Sequence, residues 1–356
     1  MSLLKTSQPA RDPNPVARAQ RLNHLVLARP DLAKAEKFFG DFGLVTTDKT
    51  DSAIYMRAAA AAPYCLEIRK GPKAELEGIG LQVSSAADLD ALAALPGAQH
   101  GASSAPGAGD VVVLHDPSGR RIEALYDQSP YDALPVRAPL AANTPDKIVR
   151  VNAGQRAAIE PPQITKLGHV VLEASRYQEM AGWYTKTFGL IPSDIEVLPD
   201  GSPAVAFFRF DCGETPSDHH SIAMAQSFTD KCAHAAFEVV DQDAVGIGQK
   251  VLRDRGYKHA WGIGRHILGS QIFDYWRDPY GEIFEHYCDG DVFTADVPTG
   301  IHAAGGDTLY QWGQKLPGDF TRPKMSLETI VTLVRNVRAS PDLSFGKLIA
   351  MLKAVS

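Results

Sequence analysis

The chain has 356 residues and a formal net charge of −6; 44% of its residues are hydrophobic and 22% are charged. These values suit a soluble globular protein with room for two domains, and the lack of a basic block argues against nucleic acid or an anionic membrane as a partner. Neither the apolar core of a signal peptide nor a run of about 18 apolar residues is present, so we expect a cytoplasmic protein.

Four cysteines are spread along the chain without a CxxC motif. Such spacing suits neither a disulfide framework nor a zinc knuckle, so we interpret them as isolated, reduced thiols. They are Cys65, Cys212, Cys232 and Cys288.

The first half of the chain opens with a polar segment and a short apolar run. This run, LNHLVL from Leu22, contains His24 and predicts a buried strand. A helix is predicted over Leu32–Phe42, where apolar residues recur at helical spacing and Gly43 marks the end. Later, an Asp-Pro-x-Gly turn in HDPSGRRIEALYD precedes a predicted strand that carries Glu123.

The second half repeats this order of elements. The apolar run LGHVVL contains His169, the predicted helix Tyr177–Phe188 ends at Gly189, and a second Asp-Pro-x-Gly turn precedes a strand with Glu285. A strand, a helix and several strands, repeated along the chain, predict an α+β fold built from modular sheets.

The repeat also divides the chain. An Ala-, Pro-, Asn- and Gly-rich stretch between the halves is interpreted as a linker, and apolar stripes near the C-terminus predict a packed or intersubunit helical tail. The predicted boundaries are 1–19 for an N-terminal extension, 20–137 for a non-catalytic domain, 138–163 for the linker, 164–322 for a catalytic metal-binding domain and 323–356 for the tail. The two stripes of the tail are Ile330, Leu333, Val334 and Val337, and Phe345, Leu348, Ile349 and Leu352.

Three residues of the second half form a candidate set of metal ligands: His169, His234 and Glu285. Two imidazoles and a carboxylate leave coordination positions open and suit Fe(II) that must bind both O₂ and a substrate, although Mn(II) is also possible. Taken singly, each histidine could instead be a hydrogen-bonded core residue, and the glutamate could face solvent.

Alignment of the two halves makes the metal interpretation stronger. It places His24 on His169 and Glu123 on Glu285, but Gly78 on His234. The first half therefore keeps two ligand types and lacks the third, which predicts one active half and one structural half.

Further polar residues surround this set. His266 and Tyr275 precede Glu285 in the segment GRHILGSQIFDYWRDPYGEIFE, and the pair His219 and His220 opens a β-rich run. Histidine suits proton transfer near neutral pH, and a tyrosine hydroxyl can hydrogen-bond a phenolate. The alternative interpretation is a surface histidine pair and a core tyrosine.

At these residues the sequence resembles the type I extradiol catechol dioxygenases of the vicinal oxygen chelate superfamily, such as catechol 2,3-dioxygenases and 2,3-dihydroxybiphenyl 1,2-dioxygenases. The strongest match is Gly-x-His followed by Tyr-x-x-Asp-Pro-x-Gly-x-x-x-Glu over 264–285. Weaker matches are His169 in its apolar strand, His220 before Ile-Ala, and His234 before Ala-x-Phe.

The resemblance implies four βαβββ modules paired into two open-barrel domains, with Fe(II) held by His169, His234 and Glu285. It also implies that both atoms of O₂ enter a catecholic substrate next to its diol, giving a muconic semialdehyde-type product of aromatic catabolism, and it suggests a homo-oligomer. His220 would be the acid/base, with His219 as its competitor. His266 and Tyr275 would contact the catecholate.

Two features leave the substrate open. Asp274 precedes Tyr275, where the family often has an apolar residue, and Ile267 and Leu268 follow His266 where biphenyl-diol-cleaving relatives have polar residues. Arg265 or Arg277 could meet a carboxylate on the ring. The rival functions are a 4-hydroxyphenylpyruvate dioxygenase-like Fe(II) enzyme, a metal-free small-molecule-binding protein and a glyoxalase-like isomerase.

Overall fold

A computed structural model describes residues 7–305, 308–320, 327–344 and 346–347. Helices in these ranges are α1 (Leu32–Phe42), α2 (Ala86–Ala93), α3 (Tyr177–Phe188), α4 (Gln242–Asp254) and α5 (Leu327–Ala339). Strands of the first half are β1 (Ala19–Arg29), β2 (Val45–Lys49), β3 (Ala53–Arg57), β4 (Leu66–Lys70), β5 (Glu75–Val83), β6 (Gln99–Ala102), β7 (Asp110–His115) and β8 (Arg121–Tyr126). Strands of the second half are β9 (Ile164–Ala174), β10 (Ile191–Val197), β11 (Pro203–Arg209), β12 (Ser217–Asp218), β13 (Ile222–Gln226), β14 (Lys231–Val239), β15 (Lys258–Arg265), β16 (Ile272–Arg277), β17 (Ile283–Cys288), β18 (Val292–Phe293), β19 (Gly300–Ala303) and β20 (Trp312–Gly313).

The predicted α+β fold with repeated βαβββ units is confirmed. The first sheet has the strand order β2-β3-β4-β1-β5-β8-β7-β6, which joins two such units through the antiparallel pair of β1 and β5. In the second sheet, β10-β11-β13-β9-β14-β17-β16-β15 follows the same plan, and β19 and β20 extend its two edges. Within each unit the first strand lies parallel to the last, as with β9 and β13 or β14 and β17.

The register of the strands confirms the alignment of the two halves. His24 pairs with Gly80, which pairs with Glu123 across the next strand. The equivalent row of the second sheet runs from His169 through Ala236 to Glu285. Gly78 and His234 lie two residues before the central members of these rows, so they occupy equivalent positions.

Helix α1 packs the first half against the second. Asp31 caps its N-terminus by accepting a hydrogen bond from the Lys34 backbone N at 3.0 Å. Gly43 ends it in the left-handed conformation, at φ 117°, where a Cβ would lie 2.0 Å from the Pro162 carbonyl oxygen. A glycine is therefore required at this point by both backbone conformation and space.

The face of α1 that points inward is aromatic. Phe38, Phe39 and Phe42 are fully buried and contact Phe284 on β17. His286 stacks on Phe42 with ring centroids 3.8 Å apart, and its Nε2 donates to the Phe42 carbonyl at 2.7 Å. One continuous hydrophobic core therefore spans the two sheets.

The predicted tail helix is present as α5, but its apolar stripe is not buried. Ile330 and Val334 are exposed, whereas Asn336 and Ser340 face inward. The Asn336 side chain donates to the Phe228 carbonyl at 2.9 Å, and the Ser340 hydroxyl donates to the Ser175 carbonyl at 2.6 Å. The helix therefore attaches through polar contacts. The second predicted stripe, of Phe345, Leu348, Ile349 and Leu352, lies outside the described residues.

In the part of the chain that the structure covers, no helix combines the length and apolarity that crossing a membrane requires.

Candidate active site

One row of side chains crosses four neighbouring strands of the second sheet. His169 pairs with Ala236, Ala236 with Glu285, and Glu285 with Tyr275 on β16. Residues in one row project from the same face of a sheet, and so does a residue two positions along a strand, as His234 is from Ala236. The fold therefore presents His169, His234, Glu285 and Tyr275 on one face, with only a small alanine between the first strand and the third.

The three predicted ligands meet on this face. One potential ligand atom from each of His169, His234 and Glu285 lies within 4.8 Å of the others, which makes this the one group of its kind found among the described residues. The distance from Glu285 Oε2 to His169 Nε2 is 3.2 Å, and that to His234 Nε2 is 3.4 Å. Two imidazole nitrogens and a carboxylate oxygen thus converge on a single point.

The electrostatics of this group are unfavourable without a cation. Glu285 is fully buried, and neither of its carboxylate oxygens accepts a well-formed hydrogen bond from the described residues. Burial raises the pKa of Glu285 and lowers the pKa of both His169 and His234 to about 3. A buried carboxylate beside neutral imidazoles has no compensating charge, which is costly unless a positive ion binds.

The equivalent position of the first half has its own cations. His24 Nε2 lies 3.2 Å from Glu123 Oε2, but Arg121 Nε also donates to Glu123 Oε1 at 2.6 Å, and Arg69 Nη2 lies 3.5 Å from that oxygen. Burial works against ionisation, yet the contacts with His24 and Arg121 hold the pKa of Glu123 well below its usual range. Guanidinium groups neutralise this carboxylate, and Gly78 offers no third ligand. The first half therefore has no need of a metal ion at this position.

His266 and Tyr275 form a hydrogen-bonded pair beside the ligand set. His266 Nε2 lies 2.9 Å from the Tyr275 hydroxyl, and its Nδ1 lies 2.7 Å from the Leu309 carbonyl oxygen. Because a carbonyl can only accept, Nδ1 carries the proton, and neutral His266 accepts the Tyr275 proton at Nε2. The Tyr275 ring also stacks on Trp261 at 5.6 Å and contacts His234 edge-on at 5.1 Å. The pair is thus held in one orientation.

Both members of the histidine pair are buried, and they differ in what they contact. The His220 ring lies 4.3 Å from the His169 ring, centroid to centroid, and 5.0 Å from that of Phe207. Burial, together with the neighbouring imidazoles, lowers the pKa of His220 well below its usual value. His219 lies behind it, with the two Nδ1 atoms 3.0 Å apart. Of the two, His220 is therefore the one in contact with a predicted ligand.

Two parts of the site were missed in the sequence. The segment 308–320 packs its Leu309, Tyr310, Leu316 and Phe320 against the Trp261 and Tyr275 side of the sheet, but its only regular element is the two-residue strand β20, and it carries no periodic signal. The second missed part is Asp194 with His302, which hydrogen-bond each other behind His219. The signal that could have pointed to this part is a pair of acidic residues, Asp194 and Glu196, two positions apart in the predominantly buried strand β10.

The residues that left the substrate open have local structural roles. Asp274 faces away from the site, where His259 Nε2 at 2.8 Å and the Trp276 indole at 2.6 Å contact its carboxylate. Arg265 pairs with Asp289 at 2.8 Å, and Arg277 donates to the Asp319 carbonyl at 3.0 Å. Both guanidinium groups therefore already have protein partners.

Comparisons with known proteins agree with this geometry. Residues 166–286 match the model of the Glyoxalase/Bleomycin resistance protein/Dioxygenase superfamily. The chain is 30% identical over 310 residues to metapyrocatechase 2 of Cupriavidus necator, covering 85% of this chain and 91% of that protein. The chain belongs to the extradiol dioxygenase family. The match to the superfamily model contains all three predicted ligands of this dioxygenase, together with His220, His266 and Tyr275.

Solved structures share the fold of this extradiol dioxygenase. Homoprotocatechuate 2,3-dioxygenase of Arthrobacter globiformis superposes with a TM-score of 0.71 at 20% identity, covering 91% of this chain and 98% of that chain. An extradiol ring-cleaving dioxygenase of B. fuscum has a TM-score of 0.72 at 18% identity and covers 90% and 87%. A Mn(II)-bound glyoxalase of Novosphingobium aromaticivorans also has a TM-score of 0.72, at 21% identity, and covers 86% and 96%. The fold therefore accommodates different chemistries.

Proposed function

We propose that this chain uses O₂ to open a catecholic ring next to its diol, with Fe(II) held by His169, His234 and Glu285. The observation that carries the proposal is the meeting of these three ligand atoms within 4.8 Å on one face, beside the His266–Tyr275 pair and His220. Family membership supplies the reaction type, and the side chains supply the assignment of roles.

The residues present fit a divalent metal. Glu285 offers two buried oxygens without well-formed hydrogen bonds among the described residues, and both imidazoles direct an Nε2 towards it. Two imidazoles and one carboxylate suit Fe(II) with open positions, and Mn(II) is the second choice because the same ligands suit it. When bound, the metal supplies positive charge for an ionised diol and a route for electrons from the diol to O₂.

Tyr275 and His266 position the diol in this proposal. Tyr275 is fixed by the Trp261 ring and by its bond to His266, whose own ring is fixed by the Leu309 carbonyl. Its hydroxyl faces Glu285 across the strand pair, so it is placed to hydrogen-bond a diol oxygen beside the metal ligands. When the diol binds in this proposal, the Tyr275 hydroxyl turns its single proton from His266 Nε2 to the deprotonated diol oxygen and stabilises its charge, while the His266 and Tyr275 rings hold the substrate ring in one orientation.

His220 is the acid/base in this proposal. Its ring lies against that of His169, and burial together with the neighbouring imidazoles favours its neutral form. A neutral imidazole can hold a proton taken from the diol and return it to oxygen when the O–O bond breaks. His219 does not contact a ligand in this way, so it is assigned a supporting part.

The substrate class follows from the charges around the site. Arg265 pairs with Asp289, and Arg277 donates to the Asp319 carbonyl, so neither guanidinium group is free to bind a substrate carboxylate. The side chains that pack against Tyr275 in its hydrophobic cluster are largely aromatic. Catechols with neutral substituents are therefore preferred over catechols with a carboxylate, and comparison of kcat/KM for both groups measures this preference.

Anaerobic binding separates the proposal from its rivals. Fe(II)-loaded protein mixed with catechol without O₂ is expected to give a shifted near-ultraviolet band from an ionised diol, and subsequent O₂ gives a yellow product. A response to a 2-keto acid instead would support a 4-hydroxyphenylpyruvate dioxygenase-like enzyme. Binding of catechol to protein that takes up no metal would support a metal-free binding protein.

A further inference from the structure

A chain of hydrogen bonds leads from His220 away from the metal-ligand face. His220 Nδ1 lies 3.0 Å from His219 Nδ1, and His219 Nε2 lies 2.6 Å from Asp194 Oδ2. The other carboxylate oxygen of Asp194 lies 2.7 Å from His302 Nε2. His219 and His220 are buried, whereas the His302 side chain is 43% exposed. The chain therefore connects a buried imidazole to the protein surface through three hydrogen bonds.

The direction of these hydrogen bonds follows from what each group can donate. A carboxylate only accepts, so the Nε2 atoms of His219 and His302 carry the protons that face Asp194. Neutral His219 then has a lone pair at Nδ1, and His220 must donate its own Nδ1 proton to it. This leaves the Nε2 lone pair of His220 free. The chain thus selects the tautomer of His220 that can accept a proton at Nε2.

The outer end of the chain is built by long-range strand pairing. Strand β19 lies parallel to β10, with Glu196 opposite His302, and Asp194 lies two residues before Glu196 on the same face. Thr308 donates to Glu196 at 3.1 Å. The charged or titratable groups facing His302 among the described residues are therefore Asp194 and Glu196. Burial raises the pKa of Glu196 to about 7, while hydrogen bonds from both histidines outweigh burial and lower the pKa of Asp194.

The reaction moves protons into and out of the site, and such a connection can carry them. A neutral catechol and one O₂ together have the composition of the ring-opened semialdehyde acid, and a carboxylic acid with a pKa of about 4 is ionised at neutral pH. Each turnover that begins with neutral diol and ends with released carboxylate therefore gives one proton to solvent. A connection between the buried acid/base and the surface lets protons of the site exchange with water.

We infer that His219, Asp194 and His302 form a proton relay that fixes the tautomer of His220 and exchanges its proton with solvent. A proton accepted at His220 Nε2 displaces the Nδ1 proton to His219, whose Nε2 proton passes to Asp194. When His220 gives its Nε2 proton to oxygen, the same transfers run in reverse and restore the starting tautomers. His302 exchanges its protons with water, and in its other tautomer its Nε2 takes the proton from Asp194. No bond other than those to hydrogen changes, and His219, Asp194 and His302 are positioning and relay residues. This inference rests on the role proposed for His220.

The tautomer can be measured without turnover. Nitrogen-15 NMR of metal-free protein with labelled histidines distinguishes the Nδ1–H tautomer from the Nε2–H tautomer. The signals of His220 and His219 are assigned from variants in which one of the two histidines is replaced. We expect His220 to be Nδ1–H and His219 Nε2–H, and we expect Asp194→Asn to remove this preference while circular dichroism stays unchanged. The opposite tautomer for His220 in the wild type would overturn the inference, even if the enzyme cleaves catechols.

The relay is measured separately by buffer rescue. In His302→Ala we expect kcat near neutral pH to fall about 10-fold at low buffer concentration, less than the roughly 10²–10⁴-fold contributed by a direct acid/base. A concentrated, non-coordinating buffer such as MOPS should restore kcat and reduce the solvent deuterium isotope effect, with KM unchanged. The matched control is His100→Ala, which removes an exposed histidine from β6. If His302→Ala shows the wild-type kcat, or a loss that buffer does not restore, the relay is wrong. An inactive wild type that still shows the expected tautomers would contradict the proposed function instead.

Discussion

His24 Nε2 lies 3.2 Å from Glu123 Oε2, and His169 Nε2 lies at the same distance from Glu285 Oε2 at the equivalent position of the second half. The two pairs differ in whether a positively charged side chain contacts the carboxylate. Arg121 donates to Glu123, whereas Glu285 receives no such charge from the described residues. One sheet architecture thus produces a closed ion-pair site and an open site for a cation.

This difference predicts unequal effects of the same substitution. Glu285→Gln should reduce bound iron at least 10-fold, because the only charged ligand of the proposed set is lost. Glu123→Gln is the matched control and should keep its metal. Metal analysis of both purified proteins after Fe(II) reconstitution decides between them. Equal iron content in the two variants would contradict the ligand assignment.

Substitution of His220 should separate binding from turnover. His220→Ala is expected to keep its iron and its anaerobic catechol spectrum but to lose kcat by roughly 10²–10⁴-fold, because a proton donor and acceptor is removed. Stopped-flow spectroscopy measures binding and turnover in one experiment. Normal turnover in this variant would transfer the role to another group, with His219 as the first candidate.

Removal of one hydroxyl should test the positioning of the diol. Tyr275→Phe keeps the stacking on Trp261 but deletes the hydrogen bond to His266. We expect kcat/KM to fall by about 10²-fold with unchanged iron content, as for loss of one preorganised donor. Tyr280→Phe is the control, since its hydroxyl bonds the Asp31 backbone in the other half of the chain. A similar loss in both variants would indicate a general structural effect.

The stability of the metal-free protein should depend on pH through His286. Burial lowers its pKa to about 4, whereas an unfolded histidine titrates near 6.5. The unfolded state therefore binds a proton that the folded state does not, so the free energy of unfolding decreases as pH falls from about 6.5 towards 4, by up to about 3 kcal/mol from this residue.

Comparison with His286→Gln isolates this contribution, because His169 and His234 also have a lowered pKa and remain in both proteins. Urea unfolding at several pH values in the presence of a chelator should give a shallower pH dependence for the variant. Parallel curves would mean that His286 is already protonated in the folded protein or does not titrate with unfolding.

Gly40 within helix α1 and Gly43 directly after it should respond oppositely to substitution by alanine. At Gly43 the left-handed backbone and the Pro162 carbonyl predict a loss of about 1–3 kcal/mol. At Gly40, within the helix, an added Cβ meets no atom within 4 Å, so alanine should stabilise by about 0.5–1 kcal/mol. Thermal unfolding of both variants checks the signs. A Gly43→Ala variant with the thermal stability of the wild type would contradict the close contact between Gly43 and the Pro162 carbonyl.

The repeat made much of the fold and the ligand set predictable. His169 and Glu285 lie on apolar strands with clear landmarks, and a comparison with His24 and Glu123 fixed which strands correspond. Strand periodicity then determines the face that each side chain shares. These are local signals, which a sequence carries well.

Other features depend on contacts that no local pattern encodes. The tautomer of His266 is set by the carbonyl of Leu309, a backbone atom in an irregular segment. His302 meets Asp194 because β19 pairs with β10 from more than 100 residues away. The apolar stripe of α5 predicted a packed or intersubunit helix, and within this chain the helix attaches through Asn336 and Ser340. In each case the hydrogen-bond partner comes from a residue that is distant in sequence and is brought close only by the tertiary structure.

Oxygen consumption is the most direct measure of the proposed ring opening. Fe(II)-reconstituted protein should consume one O₂ per catechol opened, and with ¹⁸O₂ mass spectrometry should find both labelled atoms in a single semialdehyde product. Absence of O₂ uptake with every catechol tested, in protein shown to hold its iron, would contradict the account.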